Sequence, residues 1–527
     1  MIFRERLHAW ACHTPDAIAI HAAQGTRLTF QQWEQQSEQW GQRFAQAGIM
    51  PGDRVVLMVP VGLPLYLILA ALWQRGAVVV AINPAVGAAA IAAACEALQP
   101  RAWLASGLGL MVLGLRSPTL RRIPIKIPVG GWAGRLWQGL RSPRPPVVNP
   151  APDPDAVALI SLTSGSTGPP KLIHRTHHQL RAQGEALAPI LHSQPGDREL
   201  AILPLFGLVH LAAGGTLVLP PFPVRSLAKL SGRALLRVIQ QQQIHRLIAS
   251  PTMFTTLINA AQRDRTTLPH LRQLFIGGAP VSFRCLDHLQ AIAPHAQITL
   301  VYGATEAEPI ATQPYADITE GDYHQTHSGH GLLVGHPVPS LTVAILNPHA
   351  PNPSTPAAFT AHTLPPGQPG EILVTAPHLI PRPEPQQFSL AGQRWHRTGD
   401  LGYCDRTGRL WLLGRRVGLI EDERGRLYPW AVEAVVNEHP AVVRSAVVGW
   451  QGQRLLYVQC DRAHRRGPRW HNLRATLAEQ LTWAQCDRII PIPRLPVEPR
   501  HHAKIDYRRL YQHLSLPISE QWHSDRG

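Results

Sequence analysis

The chain has 527 residues, 45% of them apolar and 16% charged. That length suits two to four domains and buries a core without disulfide or metal staples, and the apolar fraction excludes whole-chain disorder. Lys+Arg exceed Asp+Glu by 50 − 34 = 16, a balance that favours anionic partners such as nucleotides, nucleic acid or acidic lipid. No run of five like charges occurs, so a general arginine preference explains the excess better than a dedicated polyanion surface. Lys126, Lys171, Lys229 and Lys504 are the four lysines, against 50 − 4 = 46 arginines. A retained lysine in such a chain points to a need for a compact ammonium.

The six cysteines (Cys12, Cys95, Cys285, Cys404, Cys460 and Cys486) form no CxxC pair. Zinc-ribbon and thioredoxin-type readings therefore fail, and scattered thiols fit a reducing compartment. The N-terminus lacks a charged region followed by an apolar run, so no secretory signal is expected. The longest apolar run, around Val61–Trp73, is too short to cross a bilayer and carries Pro64. A cytoplasmic protein without a transmembrane segment is the expectation.

In chain order, Leu28–Phe30 reads as a short strand entering an amphipathic helix over Gln31–Ala47. Pro51-Gly52-Asp53 turns the chain into an apolar strand, Arg54–Pro60. A buried helix, Leu63–Gln74, and a strand, Ala77–Asn83, follow. Apolar strands without alternation, separated by helices, predict a parallel sheet covered on both faces. Residues 105–155 are the least regular stretch, and the proline-rich later part reads as an irregular connection. Strands are then expected at Ala156–Leu162, Leu200–Leu205, Arg246–Ser250, Leu274–Gly277 and Gln297–Val301. Residues 346–369 read as a surface loop. Short strands fill Gly370–Leu413, with a turn at Asp405–Gly408. A compact tail follows, with helices at Trp430–Glu438 and His471–Leu481 and strands at Ala441–Val448 and Arg454–Gln459. A domain boundary is expected near 413–418.

The chemistry-bearing segment is Ile160-Ser161-Leu162-Thr163-Ser164-Gly165-Ser166-Thr167-Gly168-Pro169-Pro170-Lys171. A buried strand runs into glycines and hydroxyls, then one of the four lysines. Glycines let backbone N–H groups converge, and the hydroxyls add donors, which together make a nest for phosphate oxygens. It is not a Walker A loop, because Gly165 and Gly168 are three apart and Leu172 follows the lysine.

Thr163–Lys171 resembles the phosphate loop of the adenylate-forming (AMP-binding) superfamily, which includes acyl-CoA synthetases, nonribosomal peptide adenylation domains and firefly-type luciferases. Further motifs follow in the family's order. Gly277-Gly278-Ala279-Pro280 is similar to the stretch lining the adenine and acyl pockets. Tyr302-Gly303-Ala304-Thr305-Glu306 matches Tyr-Gly-x-Thr-Glu. There the resemblance implies that the ring packs on adenine, the threonine contacts the α-phosphate and Glu306 holds Mg²⁺. Gly370-Glu371-Ile372 and Arg397-Thr398-Gly399-Asp400-Leu401 match two later motifs, the second implying that Asp400 accepts the ribose hydroxyls. Gly414-Arg415 matches the hinge, and Lys504 stands where the family carries its C-terminal catalytic lysine.

The fold this resemblance implies is α/β. A large N-terminal domain over 1–413 would contain stacked α/β subdomains and a β-barrel-like part. A hinge at 414–417 would lead to a small mobile α+β lid over 418–527. The implied first step joins a carboxylic acid to ATP, giving acyl-AMP and pyrophosphate, with Thr305, Glu306 and Lys504 catalytic.

For the second step, Val417, Glu421 and Ala503 depart from the thioester-forming members, and Gly207 replaces the family histidine after Pro204-Leu205-Phe206. These departures resemble the β-lactone synthetases of long-chain olefin biosynthesis, as do Tyr302–Ala307, Leu427-Tyr428, Glu433-Ala434-Val435 and Arg500–Ile505. In that branch a β-hydroxy acid is adenylated and its own hydroxyl displaces AMP. Coenzyme A is the acceptor in the alternative reading, and acyl-pathway enzymes are the expected partners in either. His210 or His174 would serve as base, with a satisfied structural histidine as the competing reading for each. Phe206, Gly207, Val209 and residues near Gly277 are expected to line the acyl pocket. A non-catalytic basic binder of nucleic acid or membrane is the reading from another class.

Overall fold

Thr29 shows how local chemistry starts these elements. Its hydroxyl accepts from the Gln32 N–H at 3.2 Å, and the Gln32 side chain accepts from the Thr29 N–H at 3.1 Å. This reciprocal cap opens a helix over Phe30–Gln46 directly after a strand, as the sequence predicts. Leu63–Gln74 is also a helix, with eight of its twelve residues buried. That burial accounts for its being apolar all round. The computed structural model describes residues 2–22, 25–83, 86–131, 134, 152–163, 171–222, 231–498 and 504–514. The chain forms two compact units, one of residues 1–249 and 268–272, the other of residues 250–267 and 273–527.

The first unit contains β1 (Ile18–Ala22), β2 (Arg27–Thr29), β3 (Arg54–Met58), β4 (Val78–Ala81), β5 (Ala102–Ala105), β6 (Ile125–Pro128), β7 (Val157–Thr163), β8 (Lys171–Thr176), β9 (Arg198–Leu200), β10 (Thr216–Leu219) and β11 (Arg246–Ala249). One sheet has the order β6-β5-β3-β4-β7-β8 and is parallel except for the β7–β8 pair. Its core packs Trp103 with Val56, Val80, Ile91 and Ile160. A second ladder runs β11-β9-β10-β1-β2, parallel except for β1–β2.

Two expectations change here. The strand expected over Leu200–Leu205 stops at Leu200, because Pro204 opens a helix over Pro204–Ala212; proline's fixed φ suits a first helical turn. The early part of the irregular stretch carries a helix, Gly107–Arg116, and β6. The connection over 135–151 lies outside the described residues.

The second unit begins with a mostly antiparallel ladder. Its strands are β12 (Gln273–Gly277), β13 (Gln297–Ala304), β14 (Ala307–Pro314), β15 (Leu332–Pro337), β16 (Thr342–Leu346), β17 (Gly370–Thr375), β18 (Gln387–Leu390), β19 (Gln393–Cys404) and β20 (Leu410–Arg415). The order is β16-β17-β19-β20-β15-β14-β13-β12, with β18 on β19 and only β12–β13 parallel. The part expected to resemble a barrel is an open ladder among the described residues. The 346–369 segment is not all loop, since Pro356–His362 is helical and the Thr355 hydroxyl accepts from the Ala358 N–H.

Beyond β20 come β21 (Ile420–Asp422), β22 (Gly425–Leu427), a helix over Pro429–Asn437, β23 (Val442–Trp450), β24 (Gln453–Cys460), a helix over Gly467–Gln480, β25 (Arg488–Ile492) and a helix over Tyr507–Leu514. The β23-β24-β25 sheet is covered on both faces. Val447, Leu456 and Val458 face the helices at 429–437 and 467–480, whereas Ala446, Val448 and Tyr457 face the helix at 507–514. That is the two-residue alternation of strands. The mixed α/β class expected from sequence is present. Among the described residues no helix is long and apolar enough to cross a membrane.

Candidate active site

In the first unit, β7 and β8 bracket the glycine- and hydroxyl-rich loop. Their antiparallel register sets Thr163 opposite Lys171. Ser164, Gly165, Ser166, Thr167 and Gly168 lie outside the described residues. Phe206, Gly207 and Val209 are buried on the helix at 204–212. A Cβ on Gly207 would lie 3.0 Å from both a Leu217 methyl and the Tyr66 hydroxyl, so the position is closed to any larger residue without rearrangement. His210 is fully buried. Its Nδ1 lies 3.1 Å from Ser193 Oγ and its Nε2 lies 3.0 Å from the Asp197 carbonyl. Burial lowers its pKa, and both ring nitrogens are engaged. His210 is thus a satisfied structural histidine, not a base. His174 lies exposed on β8, opposite Ile160.

In the second unit, Gly277 ends β12 where a Cβ would lie 2.2 Å from the Val301 carbonyl oxygen, so only glycine permits this approach to β13. Gly278 follows at φ +81°, in the region that favours glycine. Gly278 and Pro280 are exposed and Ala279 is half-buried. The β13–β14 hairpin pairs Ala304 with Ala307, which leaves Thr305 and Glu306 as its tip. Gly303 precedes that tip, with its missing Cβ 3.1 Å from Glu308.

Long-range pairs then gather the motif residues. The buried Tyr302 hydroxyl donates to Asp400 Oδ2 at 2.7 Å. Asp400 is 2% exposed and its Oδ1 lies 2.9 Å from Arg415 Nε. The register of β19 on β20 sets Asp400 opposite Arg415, so sheet pairing itself builds this ion pair. Burial, and then the adjacent Asp400 carboxylate, push the Tyr302 phenol well above its ordinary range. Asp400 foremost raises the Arg415 pKa.

Glu306 meets a residue that the sequence motifs did not mark. Arg382 donates to Glu306 Oε1 from Nε at 3.1 Å and from a terminal nitrogen at 3.0 Å. The Ile380 N–H donates to the Glu306 carbonyl at 2.9 Å, so the 380–382 segment wraps the carboxylate. Burial pushes the Glu306 carboxyl up, but His396 and Arg382 outweigh it and hold the group below its usual range. Among the described residues no group of three His, Cys, Asp or Glu could hold a metal alone. A magnesium ion needs no such group, because one carboxylate plus phosphate and water oxygens suffices.

Lys504 sits in a pinned loop. The Glu498 N–H donates to its carbonyl at 3.0 Å, the Asp506 N–H donates to the Pro496 carbonyl at 2.9 Å, and Val497 bridges Ile505. Glu498 also lies within the electrostatic reach of Arg415. The arrangement can present a carboxylate to a diol, an aromatic face to a base, and cations to anionic oxygens.

Residues 7–382 match the model of the AMP-binding enzyme family. The olefin beta-lactone synthetase of Stenotrophomonas maltophilia is 30% identical, over 98% of each chain. The 2-succinylbenzoate–CoA ligase of Geobacillus kaustophilus is 28% identical over 96% of this chain and 97% of its own. The o-succinylbenzoate coenzyme A synthetase of Bacillus subtilis, solved with ATP and magnesium ion, shares the fold with a TM-score of 0.75 at 22% identity, over 96% of this chain and 99% of that one. The ordered motifs, the α/β fold and the near full-length match agree, and the chain belongs to the AMP-binding, adenylate-forming enzyme family as an AMP-forming ligase.

Proposed function

We propose that the enzyme activates a fatty β-hydroxy acid with ATP and closes the resulting acyl-AMP to a β-lactone. The observation that carries this reading is the 30% identity to an olefin beta-lactone synthetase over 98% of both chains. In the first step a carboxylate oxygen of the substrate attacks the α-phosphorus, and the bond to pyrophosphate breaks. No protein nucleophile is required. The protein must neutralise charge and hold the reactants in line. Asp400, already aligned by Tyr302 and Arg415, is suited to the ribose hydroxyls. By the family resemblance, the motif at 163–171 would bind phosphate oxygens, and Gly278, Ala279, Pro280 and Gly303 would serve the adenine and acyl sites. Thr305 would meet the α-phosphate, and Lys504 would offset charge on the phosphate being attacked. Glu306 fits magnesium, which would neutralise the phosphates, because a hard cation takes a carboxylate together with phosphate oxygens.

In the second step the substrate hydroxyl attacks its own acyl carbon. AMP leaves with the bonding pair and the hydroxyl proton is released. Tethering makes this step unimolecular, and effective molarities of about 10⁵ M or more offset part of the ring strain. Transfer to coenzyme A is the second reading, favoured by the 28% match to a CoA ligase over 96% of this chain.

Pyrophosphate and AMP release, measured with fatty and β-hydroxy acids, separates the two. AMP release on β-hydroxy acids alone, without coenzyme A, is expected. Strict dependence on coenzyme A would select the ligase. Lys504→Ala is expected to slow ATP–pyrophosphate exchange by about a hundredfold, equal to about 2.7 kcal/mol. Unchanged exchange removes Lys504 from this role.

A further inference from the structure

The residues after the expected hinge are held to those before it by a clamp that no motif marks. Glu438 caps the helix Phe283–Ile292 from 155 residues away: the Phe283 N–H donates to its Oε1 at 2.7 Å and the Arg284 N–H to its Oε2 at 2.9 Å. The Arg284 guanidinium returns the contact, donating to the His439 carbonyl at 2.8 Å and the Val442 carbonyl at 3.1 Å. Ser282 caps the same helix locally through the Cys285 N–H, so its first donors are divided between a local cap and Glu438. Carboxylates are favoured at this end of a helix by its unpaired N–H groups and its dipole. Trp483 closes a second contact, because a Cβ on Gly329 would lie 2.3 Å from its ring. In this same arrangement Glu498, which holds the Lys504 carbonyl, is within reach of Arg415.

We propose that Arg284 and Glu438 are positioning residues for adenylation, clamping the C-terminal segment so that the Lys504 loop, pinned to Glu498, keeps its place relative to Arg415. The inference rests on the role proposed for Lys504. Because both arms of the clamp are directional, the segment cannot rotate about 414–417 without breaking all four hydrogen bonds. The clamp therefore favours the first step and opposes any rearrangement that serves the second.

The test measures acyl-AMP formation in a single turnover, and separately AMP release from chemically prepared β-hydroxyacyl-AMP. The full-length variants are Arg284→Ala, Glu438→Gln and Lys504→Ala. Arg284→Ala and Glu438→Gln are expected to slow acyl-AMP formation at least about tenfold, with the KM for ATP within about twofold and AMP release unchanged or faster. Arg284→Lys, which keeps the charge but loses the fork, should recover part of the rate and covers the case that the alanine variant misfolds. Combining Glu438→Gln with Lys504→Ala should be no slower than Lys504→Ala alone. Equal slowing of both steps would mean a merely structural role and overturn the proposal. Normal adenylation in both clamp variants, with Lys504→Ala impaired, refutes the clamp alone. Normal adenylation in Lys504→Ala refutes the reading on which the clamp rests.

Discussion

Glu433 offers a sharp physical test of the C-terminal segment. It lies on the inner face of the helix at 429–437, only 5% exposed. Its Oε1 accepts from the Tyr507 hydroxyl at 2.5 Å and from the Val447 N–H at 3.1 Å. Burial pushes its carboxyl up to about 8, and those two hydrogen bonds only partly oppose the shift. A raised pKa means that the folded state binds the proton more tightly than the unfolded state does. The contribution is therefore complete below about pH 4.5 and is lost as pH rises through 8. Between pH 5 and pH 8.5 the loss amounts to about 4 kcal/mol. Glu433→Gln mimics the protonated acid and removes the titration. In a chain of two units global unfolding need not be two-state, so amide hydrogen exchange of β23 and β24 is the better probe. Comparing wild type with Glu433→Gln at each pH cancels the intrinsic exchange chemistry. The variant should match wild type near pH 5 and exceed its protection several-hundredfold by pH 8.5. Parallel pH profiles would refute the buried-proton argument.

Three further outcomes follow from the site. Arg382→Ala should move the acid limb of the adenylation profile to higher pH, because Glu306 then loses a cation that depresses its pKa; an unmoved limb separates Arg382 from the reaction. Arg415→Ala strips the partner from a carboxylate that is 2% exposed. Because Arg415 is itself half-exposed, a loss of about 2 kcal/mol is expected rather than the larger cost of a fully buried pair, together with at least tenfold weaker ATP binding by calorimetry. Unaltered binding contradicts the placement of the ribose. Gly207→Ala should cost about 1–3 kcal/mol in thermal unfolding, since its Cβ meets the Leu217 methyl and the Tyr66 hydroxyl at 3.0 Å. Adding Leu217→Ala should restore part of that loss, and no restoration means that the crowding lies elsewhere.

The chain-local features of this protein were legible in its sequence. The helix that follows Leu28–Phe30, the apolar helix at 63–74 and the strand leading into Thr163 each declare themselves within a few residues. The motif residues at 302–306, 400, 415 and 504 are picked out by their resemblance, in order, to the motifs of the adenylate-forming family. Arg382, Glu438 and Tyr507 are not, because their partners are 76, 155 and 74 residues away and no local pattern marks either end. Two errors had readable signals. Thr355-Pro356 is a helix start, a hydroxyl cap followed by proline, and Pro204 is another first-turn proline. In the first, a proline-rich stretch reads as loop where proline starts a helix; in the second, the expected strand runs through a proline that starts one.

The arginine preference noted at the outset returns at the carboxylates. Glu306, Glu371, Asp400 and Asp422 are each held by a guanidinium, from Arg382, Arg397, Arg415 and Arg454. A guanidinium keeps its proton at any pH the protein survives, so these four counter-charges are constant across the working range. Alkaline loss of activity must then originate in groups other than these four guanidiniums, and the carboxyl at 433, which burial pushes up to about 8, is one that gives up its proton in that range.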